Sequence, residues 1–232
     1  MPTIVIASSK GGSGKSTSAT LLASALAEHG ATVTVIDADF NRPISDWAKH
    51  SGKPDELTVL TDINEDTIID TIEEAASKSA FVIVDLEGTA SLIVGLAISR
   101  ADLVIIPTQG SRLDAKETAK TIRLVKVQEK SLRVKIPTAI LFTRTSVLIR
   151  PRTLQSIEAE FRKAGLRVLA TQIHELDAYK AIFSFGLPLS GLDPDQVRNL
   201  PGAARNAKAF MVEVVNLLKE EAAQPVRAAE VA

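Results

Sequence analysis

The chain has 232 residues, with 27 Lys and Arg against 28 Asp and Glu, 45% hydrophobic residues and no cysteine. That length and composition suit one sizeable globular core, and the missing cysteines exclude disulfides, zinc–thiolate sites and cysteine-held iron–sulfur clusters. A net charge of −1 leaves any nucleic-acid binding to a local basic patch or to a surface assembled from two subunits.

The first apolar run, residues 3–7, leads through a glycine-rich turn into a helical stretch at 15–28. β-Branched apolar runs follow at 31–36, 57–60, 80–84, 103–106, 138–142 and 166–173, and helical periodicity recurs at 67–77, 114–128, 154–163 and 203–221. The runs are apolar on both faces, as strands are when helices cover a parallel sheet from both sides. Their alternation with helices predicts an α/β fold: a single doubly wound domain with a mostly parallel central sheet flanked by helices. No run approaches the ~18 unbroken apolar residues of a membrane span. The first run has no basic leader before it, which reads as a cytoplasmic chain. The last helix carries Phe210, Met211, Val214, Leu217 and Leu218, but Glu213, Glu220 and Glu221 outnumber Lys219 beside them. A membrane-surface helix is basic on its polar face, so this one is read as packing on the sheet, with no membrane partner.

Three elements carry chemistry. The first is the turn Gly11-Gly12-Ser13-Gly14-Lys15-Ser16-Thr17. Its glycines free the backbone to aim N–H groups inward, and the following helix N-terminus adds partial positive charge. Lys15 is placed to bridge β- and γ-phosphates, Ser16 to offer a hydroxyl to Mg²⁺ and Thr17 to donate to an α-phosphate. The general phosphate-loop pattern needs a glycine at position 9, where this chain has Ser9. The second element is Asp37-Ala38-Asp39, two carboxylates at the end of a buried run. Spacing of two puts them on one side of an extended chain, where one can hold Mg²⁺ through water and the other orient an attacking water. An Asx turn leading into a helix at Pro43 is the alternative for this pair. The third is Phe81-Val82-Ile83-Val84-Asp85, four apolar residues and an acid that can reach Mg²⁺. The segment 86–89 after it is expected to sense the γ-phosphate, with Glu87 a solvated loop acid. His29, His50 and His174 have no metal-ligand spacing.

The segment Ser9-Lys10-Gly11-Gly12-Ser13-Gly14-Lys15-Ser16-Thr17 resembles the deviant Walker A motif of the ParA/MinD ATPases, K-G-G-x-G-K-[ST]-[ST]. Asp37-Ala38-Asp39 resembles their D-x-D, Asp85 their Walker B aspartate, Ile105-Ile106-Pro107-Thr108 their strand ending in proline and Ser184-Phe185-Gly186 their late S-x-G segment. The resemblance runs from about Thr3 to Leu189. Within the family the chain is similar to the small ParF-like plasmid-partition ATPases, and residues 173–179 to VirC-type proteins. Two departures stand out: Phe40-Asn41 follows D-x-D in place of Pro-Gln, and His174-Glu175 stands where relatives often have Pro-Arg near the adenine.

The resemblance implies a deviant Walker A P-loop ATPase domain over 1–222, with 223–232 a disordered tail. It implies ATP and Mg²⁺ as cofactors, and an ATP-bound homodimer in which Lys10 reaches the partner's phosphates. Lys10, Lys15 and Asp39 become the catalytic residues, with Asp39 positioning the water. Gly11, Gly12, Ser13, Gly14, Lys15, Ser16, Thr17 and His174 become the nucleotide contacts, and Ser16, Asp37 and Asp85 the metal contacts. It further implies slow hydrolysis, accelerated by a ParB-like centromere-binding partner, and nonspecific binding of double-stranded DNA. The chain would be nucleoid-associated when ATP-bound. Arg144, Arg150, Arg152, Arg162, Lys163 and Arg167 are the candidate DNA contacts. The family's other use of this switch, placing a protein or protein–DNA complex as MinD-like and VirC-like proteins do, is the alternative. A metabolic P-loop enzyme is disfavoured by Lys10.

Overall fold

The computed structural model describes residues 1–50, 52–88 and 91–223. In chain order it runs β1 (Thr3–Ile6), α1 (Lys15–Glu28), β2 (Val33–Ala38), α2 (Pro43–Ala48), β3 (Leu57–Leu60), α3 (Ile68–Lys78), β4 (Phe81–Leu86), α4 (Leu92–Ile98) and β5 (Leu103–Thr108). It continues α5 (Arg112–Leu132), β6 (Thr138–Thr145), α6 (Arg152–Lys163), β7 (Arg167–Val168), β8 (Ile173–His174), α7 (Asp177–Phe185), a 3-10 turn at Leu189–Gly191, and α8 (Leu200–Ala222). The strands form one sheet in the order β3-β2-β4-β1-β5-β6-β7, with β8 beside the end of β6. Every pairing is parallel, where the sequence alone predicted a mostly parallel sheet.

Alternation along each strand sorts side chains to two faces. Ile4, Ile6, Val33, Val35 and Ile105 pack under α1 and α8 with Leu22, Phe210 and Val214. Val5, Ile36, Val84 and Ile106 pack on the other face with Ile68, Ile72, Val94 and Val125. Phe142, Phe161 and Ile157 close the β6 edge beneath α6. Each fully buried isoleucine or phenylalanine contributes roughly 1.5–3 kcal/mol by leaving water. α8 carries Phe210, Met211, Val214, Leu217 and Leu218 in this core, so the packing reading of that helix holds. Among the described residues no helix is long and apolar enough to cross a membrane.

The run 166–173 divides. Its ends form β7 and β8, and residues 169–172 leave the ladder. Glu213 of α8 explains the break: its carboxylate accepts the N–H groups of Ala170 and Thr171 at 2.6 and 2.7 Å, replacing sheet partners. α4 and α7 had no legible periodicity. α4 has seven residues, five of them buried, and such a helix is apolar nearly all round.

β1 lies at the centre of the sheet between β4 and β5. The loop leaving its carboxyl end therefore opens in the middle of the edge where open α/β sheets bind ligands. Register places Asp37 of β2 beside Asp85 of β4, and Asp85 beside Ile6. Two acids 48 positions apart in sequence thus meet directly below that loop.

Candidate functional site

The loop from Ser8 to Gly14 is held from several sides. Gly12 and Gly14 adopt φ of +73° and +96°, left-handed backbone that side chains disfavour. Gly14 caps α1, and a Cβ built there would lie 3.2 Å from the Thr143 side chain. The Thr143 hydroxyl donates to the Ser13 carbonyl at 2.6 Å, and Gln109 Nε2 donates to the Gly12 carbonyl at 3.0 Å. The loop thus rests on the ends of β5 and β6.

Its entrance is tied to α5. Ser9 N–H donates to Thr121 Oγ1 at 3.0 Å, and the Ser9 hydroxyl donates to the Glu117 carbonyl and carboxylate at 2.9 Å each. The Lys10 ammonium meets Asp114 Oδ1 at 2.6 Å, with the Lys10 side chain 42% exposed and that of Asp114 6%. Ser111 caps α5 by accepting the Asp114 N–H, and its hydroxyl donates to the Asp114 carboxylate. Burial pushes the Asp114 carboxyl up, but Lys10 and Ser111 outweigh it and hold it below the usual range.

Under the loop lies a cleft of about 410 Å³, lined by Gly11, Gly12, Gly14, Lys15, Ser16, Thr17, Asp39, Asn41, Glu87, Gly88 and Arg144. Lys15 is buried. Burial lowers its pKa, while the carboxylates of Asp85, Asp39 and Glu87 pull the other way. Asp85 is fully buried, and no hydrogen bond of good geometry reaches either of its oxygens. Burial raises its pKa to about 7, against the pull of the Ser16 hydroxyl and the Lys15 ammonium and with the repulsion of Asp37. An orphaned carboxylate beside a serine hydroxyl and an ammonium fits a site for a hard cation and phosphate. Among the described residues no three acids, histidines or cysteines cluster as a metal cage.

The two acids of Asp37-Ala38-Asp39 differ. Asp37 is buried, and its Oδ2 accepts the Ser45 N–H at 2.7 Å and the Ser45 hydroxyl at 2.6 Å. It anchors the start of α2, and burial outweighs the Ser45 bonds to raise its pKa. Asp39 faces the cleft, where its Oδ1 accepts the Asn41 N–H at 2.9 Å and Asn41 Nδ2 at 3.2 Å. The departure residue Asn41 thus orients Asp39. Gly88 packs so closely on the loop that a Cβ there would lie 2.7 Å from the Gly11 nitrogen. Of the segment expected to sense the γ-phosphate, Thr89 lies outside the described residues, as do 224–232 of the expected tail.

Next to the cleft a recess of about 80 Å³ is lined by Gly14, Thr17, Thr143, Arg144, Ile173, His174, Glu175, Leu176, Tyr179 and Lys180. His174 is half-buried on its wall, with Nδ1 2.9 Å from the Thr145 hydroxyl, and burial lowers its pKa. Asn206 of α8 organises this wall. Its Oδ1 accepts the His174 N–H at 3.3 Å and the Tyr179 hydroxyl at 2.9 Å, and its Nδ2 donates to the Gln172 carbonyl at 2.8 Å. Sequence reasoning missed Asn206, Thr143 and Asp114, which no local motif marks.

The six cations expected to bind DNA are divided among the cleft wall, the two ends of α6 and β7. Arg144 lines the cleft and the recess, at φ +51° on the irregular end of β6. Arg150 and Arg152 stand at the start of α6, and Arg162 and Lys163 at its end. A helix of that length separates them by about 15–18 Å. Arg150 and Arg162 both pair with Glu158, and Arg167 pairs with Glu220 and Glu221, so acids neutralise half of the set.

The family model described as "VirC1 protein" matches residues 1–219. The chain is 40% identical over 220 residues to "Protein ParA" of Rhizobium radiobacter, covering 95% of this chain and 99% of that one. It is 32% identical over 227 residues to "Protein virC1" of the same organism, covering 94% and 96%. Among solved structures, the septum site-determining protein MinD of Pyrococcus horikoshii OT3, complexed with Mg-ADP, superposes with a TM-score of 0.72 at 18% identity, covering 96% of this chain and 99% of that one.

Proposed function

This chain belongs to the VirC1 family, among the ParA/MinD-type ATPases, and we propose that it is an ATP-driven dimerisation switch that segregates plasmid or chromosomal DNA. The observation that carries the reading is the position of Lys10. Its ammonium stands at the lip of the loop on a buried acid and does not line its own chain's cleft. A cation there is spare for a single subunit and useful to a second one facing it.

In this reading Lys15 and the loop N–H groups bind the phosphates, and Arg144 adds a cation at the cleft wall. Ser16 and Asp85 hold Mg²⁺, with Asp37 behind Asp85. When bound, Mg²⁺ neutralises charge on the phosphates. Asp39, fixed by Asn41, accepts a hydrogen bond from the attacking water and orients it. Asp39 is only partly buried in one subunit, and a water there is poorly fixed. Hydrolysis is therefore slow until a second subunit and a ParB-like partner close the site. ATP-bound dimers bind duplex DNA without sequence preference, and hydrolysis releases them. The identity to a protein named ParA supports partition as the role. The second reading, a switch that places a protein–DNA complex, is favoured by the match to the VirC1 model.

The test is light scattering with and without Mg-ATP. Wild type becomes dimeric on ATP, Lys10→Ala binds ATP and stays monomeric, Lys15→Ala loses nucleotide, and Asp39→Ala is trapped as a dimer. A Lys10→Ala variant that dimerises like wild type sinks the switch. Plasmid retention in a deletion strain separates the readings: stable inheritance without the gene favours the second.

A further inference from the structure

Helix α5 presents one unbroken basic face. Arg112, Lys116, Lys120, Arg123, Lys126 and Lys130 recur at intervals of three or four residues, and all are exposed. At 100° per residue they fall within about 120° of arc, along a helix about 30 Å long. Arg133, the C-cap, continues the row. Of these cations only Lys120 has an ion pair among the described residues, with Glu117. The chain as a whole carries −1, so positive charge is concentrated here and compensated elsewhere.

We propose that this face of α5 is the surface that binds the phosphate backbone of duplex DNA. The inference rests on the partition-type reading above and supplies the surface it needs. Charge complementarity carries it. A straight row of cations matches a backbone that presents one negative charge per roughly 1.7 Å of duplex axis, and phosphate contacts need no groove and no base readout. A protein partner would need buried apolar anchors at its centre, and here only Leu113 and Val127 stand exposed near the row. The opposite side of the same helix holds the loop entrance: Asp114 binds Lys10, while Glu117 and Thr121 bind Ser9. One rigid helix thus carries the DNA-facing row on its outside and the dimerisation lysine on its inside.

The test is fluorescence anisotropy on a random-sequence 30-base-pair duplex with Mg-ATP, over a salt series. Five or six phosphate contacts give a log–log salt slope of about −4.5 to −5.5. Lys116→Gln/Arg123→Gln/Lys130→Gln is expected to bind at least tenfold more weakly, with a slope shallower by about 3. Its melting temperature checks that it folds. A control at Lys49→Gln/Lys78→Gln, outside α5 and each paired with an acid of its own helix, keeps wild-type affinity. If wild type binds and the triple variant binds as tightly, the α5 assignment is overturned while DNA binding stands. If wild type fails to bind at low salt, the DNA reading itself falls and takes the assignment with it. Binding of phosphatidylserine vesicles by wild type, lost in the triple variant, with no duplex binding, would assign the row to an anionic membrane instead and overturn the proposal.

Discussion

Asp114 holds the Lys10 ammonium at 2.6 Å within a single chain. Lys10 must leave this acid before it can reach a second subunit. The pair is a partly exposed one, worth about 1 kcal/mol. Asp114→Asn keeps an acceptor for the Ser111 cap but removes the counter-charge. It is expected to tighten the ATP-dependent dimer about fivefold, read by analytical ultracentrifugation. A weaker dimer would mean that Asp114 organises the lysine for its role and does not restrain it.

Burial sets a pH dependence in the nucleotide-free protein. Asp85 has a pKa raised to about 7 from the ordinary 3.8. Between those values the folded state binds more protons than the unfolded state, so its contribution to stability falls as pH rises from about 4 to 7. Asp37, also raised by burial, has the same sign, and His174, lowered by burial, has the opposite one. The difference between wild type and Asp85→Asn isolates the first group. In EDTA, wild type should lose melting temperature relative to Asp85→Asn between pH 5 and pH 7.5. Parallel curves would show that Asp85 is solvated or paired in solution.

Asn206 ties α8 to the wall of the base recess through His174, Tyr179 and Gln172. Asn206→Ala leaves polar groups unpaired in a largely closed site, a loss of about 1–3 kcal/mol. Melting temperature should fall by about 2–4 °C for each kcal/mol. Affinity for ADP should fall more than affinity for inorganic pyrophosphate, because the damage is at the base end. Equal losses would place the effect on the fold and not on the recess.

These residues show what sequence could and could not tell. That the glycine loop, Lys15, Asp39 and Asp85 would lie together was legible because each sits next to its strand end. The parallel sheet was legible because buried strands are apolar on both faces. Asp114 and Asn206 were not, since each acts across 27 positions or more and only folding brings it to the site. The place of Arg144 on the cleft wall was not legible, because its charge was visible in the sequence and its left-handed backbone on an irregular strand end was not. The α5 row was overlooked for a related reason. Its lysines look like an ordinary solvated helix face until the acids of the late arginine set are seen to neutralise that rival patch.

Gly14 tests whether loop shape or loop charge governs nucleotide binding. It sits at φ +96°, and an added methyl would stand 3.2 Å from Thr143 Cβ and Cγ2. Gly14→Ala therefore carries two penalties: backbone strain of about 1–3 kcal/mol, and pressure on the Thr143 hydroxyl that donates to Ser13. Nucleotide affinity should drop at least tenfold although Lys15 and Ser16 are intact. Adding Thr143→Ser removes the Cγ2 methyl and keeps a hydroxyl, so the double variant should recover the steric part alone. Calorimetry with ADP on the wild type, both single variants and the double variant separates the two penalties. Full recovery would make the crowding dominant and the backbone conformation incidental, while no recovery would assign the whole loss to the left-handed turn.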